Sequence, residues 1–263
     1  MPEGLEVEYY RRLAAGTVGR RIHRVHAPDA WFVKGSTAPE ALAVALEGRR
    51  VTGARRIGKL LLVDTDGPTL GIRFGMTGRL LVDGTAAIER LEYASTRDDA
   101  AWDRFALRFG TARRGSGELR VRDPRRLGGV ELDPVVDHLG VDLFAVTPAV
   151  LTRCLAGSAA PLKARLLDQS RVAGLGNLLV DEILWRARLV PTRPAGSLDP
   201  GEVRGLHRAL RSTVRQLLDR GGSHTGDLMA SRVRGGRCPR CRAPLRRETV
   251  GGRTTYWCAP CAR

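Results

Sequence analysis

The 263-residue chain lacks any apolar run approaching the ~20 residues that a membrane-spanning helix needs. Its amino terminus is acidic and polar, without the basic-then-apolar order of a secretory leader, so a cytoplasmic protein is expected. Aromatic residues are only 5% of the chain, too few stacking platforms to favour single-stranded RNA as a partner. Carboxylates are scarce beside bases: 28 Asp and Glu against 44 Lys and Arg leave a net charge of +16. That excess exceeds what solubility demands and implies a polyanionic partner, nucleic acid first. Arginine carries nearly all of it; its planar fork suits phosphate, and a GC-rich coding bias would also enrich it. There is no internal repeat and no extended low-complexity tract. The 43% hydrophobic content is enough for a packed core, and the length allows two domains or one with appendages.

Cysteine is also sparse, with five in all, and four of them crowd the end of the chain. Cys238, Cys241, Cys258 and Cys261 form two Cys-x-x-Cys pairs separated by sixteen residues that read as a β-ribbon carrying Arg253. Two such pairs can present four thiolates to one tetrahedral zinc ion. Two disulfides or a redox Cys-x-x-Cys are the alternatives, and a reducing cytosol disfavours the first. Cys154, in an amphipathic helical setting, reads as a small buried hydrophobe without chemistry.

Periodicity divides the rest. Val7, Tyr10 and Leu13 predict a helix over Glu3–Ala15, with Glu3, Glu6 and Glu8 near its positive end. Short β-like runs follow at Arg21–His26, Arg50–Arg56, Leu60–Asp64, Leu70–Phe74, Arg79–Val82, Arg104–Phe109, Glu118–Val121 and Gly129–Leu132. Turn signals such as Asp83-Gly84 punctuate them, and a helix over Ala38–Leu46 interrupts them. Many short strands argue for a sandwich or flattened barrel. Beyond Pro134 helical periodicity takes over, at Pro148–Leu155, Pro161–Leu167, Asn177–Ala187 and Pro200–Arg220. The Gly-rich turn Val172–Asn177 opens a helix and could turn backbone N–H groups toward a phosphate, or serve only as a tight connection. Gly221–Gly236, rich in Gly, Ser and Arg, reads as a mobile linker. The expected architecture is α+β and multidomain: an amino-terminal β-sandwich with flanking helices (1–133), a helical domain (134–225) and a zinc-finger hairpin (226–263).

The chain starts Met1-Pro2-Glu3, and a small second residue allows Met1 to be removed, exposing a secondary amine with a pKa near about 8. Attack of such an amine on a sugar C1′ gives an iminium that is cationic without further protonation, an electron sink for eliminating phosphate. Read together, Pro-Glu-Gly-Leu-Glu at 2–6, Ile57-Gly58-Lys59, Leu166-Leu167-Asp168-Gln169 leading to Gly174-Leu175-Gly176-Asn177 and Asp181-Glu182, and the zinc hairpin resemble the formamidopyrimidine-DNA glycosylase and endonuclease VIII family over essentially the full length. Asp123–Gly128 and Phe74–Gly78 also resemble family loops.

The resemblance implies a helix-two-turn-helix element in the helical domain and a DNA glycosylase with AP lyase activity. It implies damaged DNA as partner, one structural zinc, no organic cofactor, no membrane and a monomer. Pro2 would be the Schiff-base nucleophile, Glu3 the general acid, and Lys59 a positive charge at the reacting centre. Glu6 would line the same pocket, while Asn177 and Arg253 would grip the phosphates flanking an extruded nucleotide. Met76, Arg125 and Leu127 would supply the wedge. The plainer readings are a solvated Lys59, a helix-capping Asn177, a surface Arg253 and a core-anchoring Met76.

Leu127 departs from the phenylalanine of the purine-repair branch, Leu5 from the usual proline, and Gly4 resembles the endonuclease VIII branch. Gly221–Arg237 is shorter than the loop that covers a flipped purine in the 8-oxoguanine enzymes. Lys163 matches a position of the purine branch, although a helix-surface lysine is the simpler reading of it. The expectation is removal of oxidised pyrimidines with β,δ-elimination, with 8-oxoguanine or formamidopyrimidine removal as runner-up. A non-catalytic damaged-DNA binder would be indifferent to Pro2, and an RNA binder on the same phosphate grip is a third possibility.

Overall fold

The computed structural model describes residues 2–35, 38–88, 91, 97, 99–111 and 114–262. Met1, on whose removal the Pro2 amine depends, lies outside them. The chain divides into two compact units, Met1–Pro2 with Glu6–Val136 and Glu3–Leu5 with Asp137–Arg263.

The chain opens with α1 (Gly4–Ala15), then β1 (Ile22–His26), α2 (Pro39–Leu46), β2 (Val51–Ile57), β3 (Leu60–Thr65), β4 (Leu70–Arg73), β5 (Arg79–Val82), β6 (Thr85–Ala86), β7 (Asp103–Thr111), β8 (Arg114–Arg122) and β9 (Gly129–Leu132). The strands form two antiparallel sheets, ordered β2-β3-β4-β9 and β1-β7-β8-β5-β6. Alternating apolar residues of both sheets, among them Val51, Leu61, Ile72, Leu80, Phe105 and Val121, fill one core with Val7 and Tyr10 of α1. Two sheets sharing a core make the expected sandwich. Asp83 and Gly84 both take positive φ, 51° and 78°, as a two-residue type I′ turn joining β5 and β6 requires. β8 starts earlier than its apolar alternation suggests, because the polar, Gly-rich residues before Glu118 still pair with β7, Gly115 opposite Gly110.

The second unit contains β10 (Val141–Asp142), α3 (Pro148–Leu155), α4 (Leu162–Leu167), β11 (Val172–Ala173), α5 (Asn177–Ala187), α6 (Pro200–Arg220), β12 (Arg246–Val250) and β13 (Arg253–Trp257). Helix ends follow local chemistry. Thr147 caps α3, and Asp199 with Glu202 forms a complete capping box on α6, which stops at Gly221 in the left-handed region. Leu151, Leu166, Leu179, Ile183, Leu206 and Leu210 build the core of this unit, and Leu5 is buried in it, so a leucine at position 5 serves packing.

Two expectations fail here. Gly221–Gly236 is folded: it forms 3-10 turns at Ser223–Thr225 and Met229–Ser231, and Leu228 is fully buried. The backbone N–H groups of Asp227 and Leu228 donate to the Glu182 carboxylate, at 3.2 and 2.9 Å. Composition suggested a linker, but a buried acceptor on α5 holds the segment. Cys154 is only half-buried at the edge of the core, its thiol raised by burial against the pull of nearby arginines.

Candidate functional site

In the first unit, Lys59 occupies the two-residue turn that joins β2 to β3, where Ile57 faces Leu60. It is half-buried and is one of only three lysines in the chain. Pro2 is buried, as is Glu6, whose negative charge adds to burial in raising the Tyr10 hydroxyl far above its ordinary value. Tyr10 packs on Phe74 with ring centroids 4.5 Å apart and donates to the Gly78 carbonyl at 3.2 Å, pinning both ends of the loop that carries Met76. Met76 is half-buried and stands outside the core cluster, so it is no core anchor.

The loop bearing Arg125 and Leu127 is fixed by Asp123, a fully buried carboxylate absent from the expectations. Its oxygens accept from the Arg125 and Gly128 N–H groups, at 3.2 and 2.8 Å, and from the Thr77 hydroxyl. One carboxylate thus ties the Met76 loop to the Arg125 loop. Arg125 is exposed, and no hydrogen bond or ion pair among the described residues uses its guanidinium; Leu127 is 49% exposed. A long cation and two apolar side chains therefore stand on two loops joined by one buried carboxylate.

In the second unit, Glu3 is fully buried and its two carboxylate oxygens accept from the Leu178 and Leu179 N–H groups, at 2.8 and 3.0 Å. These are unpaired donors at the amino terminus of α5, where a carboxylate also meets the positive end of the helix dipole. Gly176 makes this possible, since a Cβ there would lie 2.2 Å from the Glu3 carboxyl carbon. Two N–H groups at the start of the helix that the Gly-rich turn opens are thus taken by Glu3. Asn177 is the first helical residue, with Gly176 as the cap, so it does not cap the helix. Its amide Nδ2 donates to the Thr254 carbonyl at 3.1 Å, and its Oδ1 is buried without a partner.

Lys163 corrects the reading of a surface lysine. It is fully buried, its ammonium donating to Asp181 Oδ1 at 2.7 Å, Thr255 Oγ1 at 2.8 Å and the same Thr254 carbonyl at 3.2 Å. Arg232 pairs with the other Asp181 oxygen at 2.8 Å. Burial pushes the Lys163 ammonium below its ordinary value, with Asp181 pulling it back up. This cluster joins α4, α5 and β13, so Asn177 and the zinc hairpin share one hydrogen-bonded frame. The available signal was Asp181-Glu182 inside the otherwise apolar run Leu178–Leu184, two carboxylates that need buried partners.

β12 and β13 pair antiparallel with Val250 opposite Arg253, and the turn between them is Gly251-Gly252, at φ 57° and 71°. Only glycine adopts two successive left-handed residues at little cost, and the turn sets Arg253 at the tip. Arg253 is exposed, and its guanidinium meets no partner among the described residues. Replacing it with alanine is expected to weaken DNA binding about tenfold or more and to lower the salt slope by about 1, readable from binding isotherms at several salt concentrations.

The four terminal cysteines are free, and their sulfur atoms lie within 4.8 Å of one another, against the ~3.8 Å edge of a tetrahedron with ~2.3 Å Zn–S bonds. The Trp185 indole N–H donates to Cys238 Sγ at 3.3 Å, an outer hydrogen bond of the kind that orients metal thiolates. Burial would raise the Cys238 thiol, but that indole and the N–H groups of Cys241 and Arg240 outweigh it and bring it to about 6. Cys258 moves the other way, raised first by burial and then by Cys241. A divalent cation at the centre of the four sulfurs would favour their thiolate forms. The set fits one structural zinc. Chelation or Cys241→Ser is expected to release one zinc per chain and melt the hairpin, checked by elemental analysis and by the fluorescence of Trp257, with DNA binding falling about tenfold or more.

Two family models cover most of the chain, the formamidopyrimidine-DNA glycosylase N-terminal domain at residues 1–130 and the formamidopyrimidine-DNA glycosylase H2TH domain at residues 139–228. A formamidopyrimidine-DNA glycosylase of Burkholderia vietnamiensis is 34% identical over 285 residues, covering both chains in full. The fold is similar to that of a mutant Lactococcus lactis FPG bound to Fapy-dG containing DNA, with TM-score 0.82, 26% identity and full coverage of both chains. It is equally similar to MutM in complex with DNA containing carbocyclic 8-oxo-G, with TM-score 0.82, 28% identity and full coverage of both chains. Among the described residues no helix is long and apolar enough to cross a membrane. The chain belongs to the formamidopyrimidine-DNA glycosylase family, the DNA glycosylases of base excision repair that also cleave the strand as AP lyases.

Proposed function

We propose that this protein removes ring-opened and oxidised purines from duplex DNA and then cleaves the strand by β,δ-elimination from a Pro2 iminium. The observation that carries the substrate class is the full-length similarity to proteins named for formamidopyrimidine and solved with Fapy-dG and 8-oxo-G DNA. In this reading Pro2 attacks C1′ as the base leaves. Glu3, held by two backbone N–H groups, passes protons to the opening sugar. Lys59 places positive charge at the reacting nucleotide, and Glu6 lines the pocket. Arg253 and Asn177 grip the flanking phosphates, while Met76, Arg125 and Leu127 fill the gap left by the extruded base. The proposed organisation remains three-part: a catalytic sandwich at 1–133, a helix-two-turn-helix domain at 134–225 and a zinc finger at 226–263, acting as a monomer.

Oxidised pyrimidines form a second reading, favoured by two features of the chain. Gly221–Gly236 is short and pinned by Glu182 and Asp181, leaving little chain to fold over a purine, and Leu127 offers less stacking area than an aromatic wedge. Excision rates on duplexes bearing formamidopyrimidine, 8-oxoguanine, 5-hydroxycytosine or thymine glycol separate the two. Purine lesions processed at least tenfold faster support the proposal; the reverse order replaces it with the second reading.

A further inference from the structure

The outer face of α6 carries Arg204, Arg208, Arg211 and Arg215, all exposed. At 100° per residue these four fall within an arc of about 60°, opposite the buried Leu206, Leu210 and Leu217, in a line about 16 Å long. None of the four meets a carboxylate among the described residues: Glu202 is taken by Arg193, and Asp227 by Arg186 and Arg220. Asp219 is the one acidic side chain near the lower end of the line, and no ion pair among the described residues uses it. The cost of holding like charges in a row on one helix face is ordinarily offset by intervening acids, and here it is not. Beside the row lies a hollow of about 730 Å³, whose apolar surface comes from the half-buried Phe144 and Leu218 and which Arg208, Arg211, Arg215 and, at the lower end, Asp219 also line.

We infer that this face is a docking surface for an acidic amphipathic helix of a partner protein. The charge row fits carboxylates at the same i, i+4, i+7, i+11 spacing on an opposed helix, where rises of about 6, 4.5 and 6 Å match in register. The hollow selects among polyanions, because a phosphate backbone has no apolar group to fill it whereas a leucine or phenylalanine flanking the acidic row does. The surface is built within the second unit alone and does not depend on the chemistry assigned to Pro2.

The probe is a fluorescein-labelled synthetic helix with Glu at those four spacings, Leu on the flanking face and Ala elsewhere. Its anisotropy is titrated with the zinc-loaded full chain at about 150 mM salt, where loose charge attraction is screened. Binding is expected to weaken at least tenfold for the triple variant Arg208→Glu, Arg211→Glu, Arg215→Glu, and at least tenfold for the wild-type chain when the peptide leucines become serine. AP-site cleavage by the triple variant should stay within twofold of wild type, showing that it is folded. Equal peptide binding by the triple variant, or equal binding of the serine peptide, would overturn the inference. A triple variant that loses duplex-DNA affinity while the peptide still binds would assign the row to nucleic acid instead.

Discussion

Changing Pro2 to glycine is expected to lower base excision by about a thousandfold or more while leaving binding to abasic-site DNA within a fewfold of wild type. A secondary amine gives an iminium that carries its positive charge by valence alone, whereas the primary amine of glycine gives an imine that must first capture a proton to act as an electron sink. Glycine also removes the ring that fixes φ, so the amine no longer starts in one orientation. A chain that keeps Met1 should lose excision completely, because nitrogen in an amide is not a nucleophile. Its affinity for DNA should persist. Single-turnover excision and equilibrium binding, measured on the same oligonucleotides, separate lost chemistry from lost affinity. A DNA-binding protein without chemistry would show neither change.

Asp181→Ala should be the most destabilising single substitution in the second unit, at about 3–5 kcal/mol. The Lys163 ammonium and the Arg232 guanidinium would remain buried with their shared countercharge removed, and the Tyr256 N–H would lose its acceptor. Thermal unfolding should fall by about 10 °C or more. The sign of its pH dependence follows from Lys163. Burial already depresses the ammonium, and losing Asp181 depresses it further, so the folded state binds fewer protons than the unfolded chain below the ordinary lysine value. Stability of the variant should therefore recover as pH rises toward about 10, and the gap to wild type should narrow over that range. Circular dichroism melts at pH 7 and pH 9.5 check both the size and the direction. A gap that stays constant with pH would mean that Lys163 is already neutral in the folded wild type.

These two sites differ in how far the sequence discloses them. Spacing alone exposes the cysteine pairs, because each pair is local and a tetrahedral ion asks only for four thiols. Asp83-Gly84 is likewise a local statement of backbone geometry, and the turn it signals is present. Pro2 and Glu3 are visible as residues, but the clasp that holds Glu3 joins it to N–H groups 175 and 176 positions away. No periodicity encodes such a pairing. Lys163 reads as a solvated lysine for the same reason, since its partners are 18 and 92 positions distant. Asp123 sits in an evident turn, yet its value lies in reaching Thr77 on a separate loop. Gly221–Gly236 shows the converse, a polar and glycine-rich composition ordered by the Glu182 carboxylate. What stays hidden is buried polar pairing across the chain, and that pairing is what positions the side chains assigned to DNA.

The central claim is that the Pro2 nitrogen bonds to the sugar during strand cleavage. Borohydride reduction of the zinc-loaded protein on a duplex with one abasic site, followed by peptide mass spectrometry, tests it most directly. The account predicts a stable adduct on the amino-terminal peptide, located at Pro2 in chains that have lost Met1. An adduct on Lys59, or none from protein shown to begin at Pro2 and to hold zinc, would contradict it.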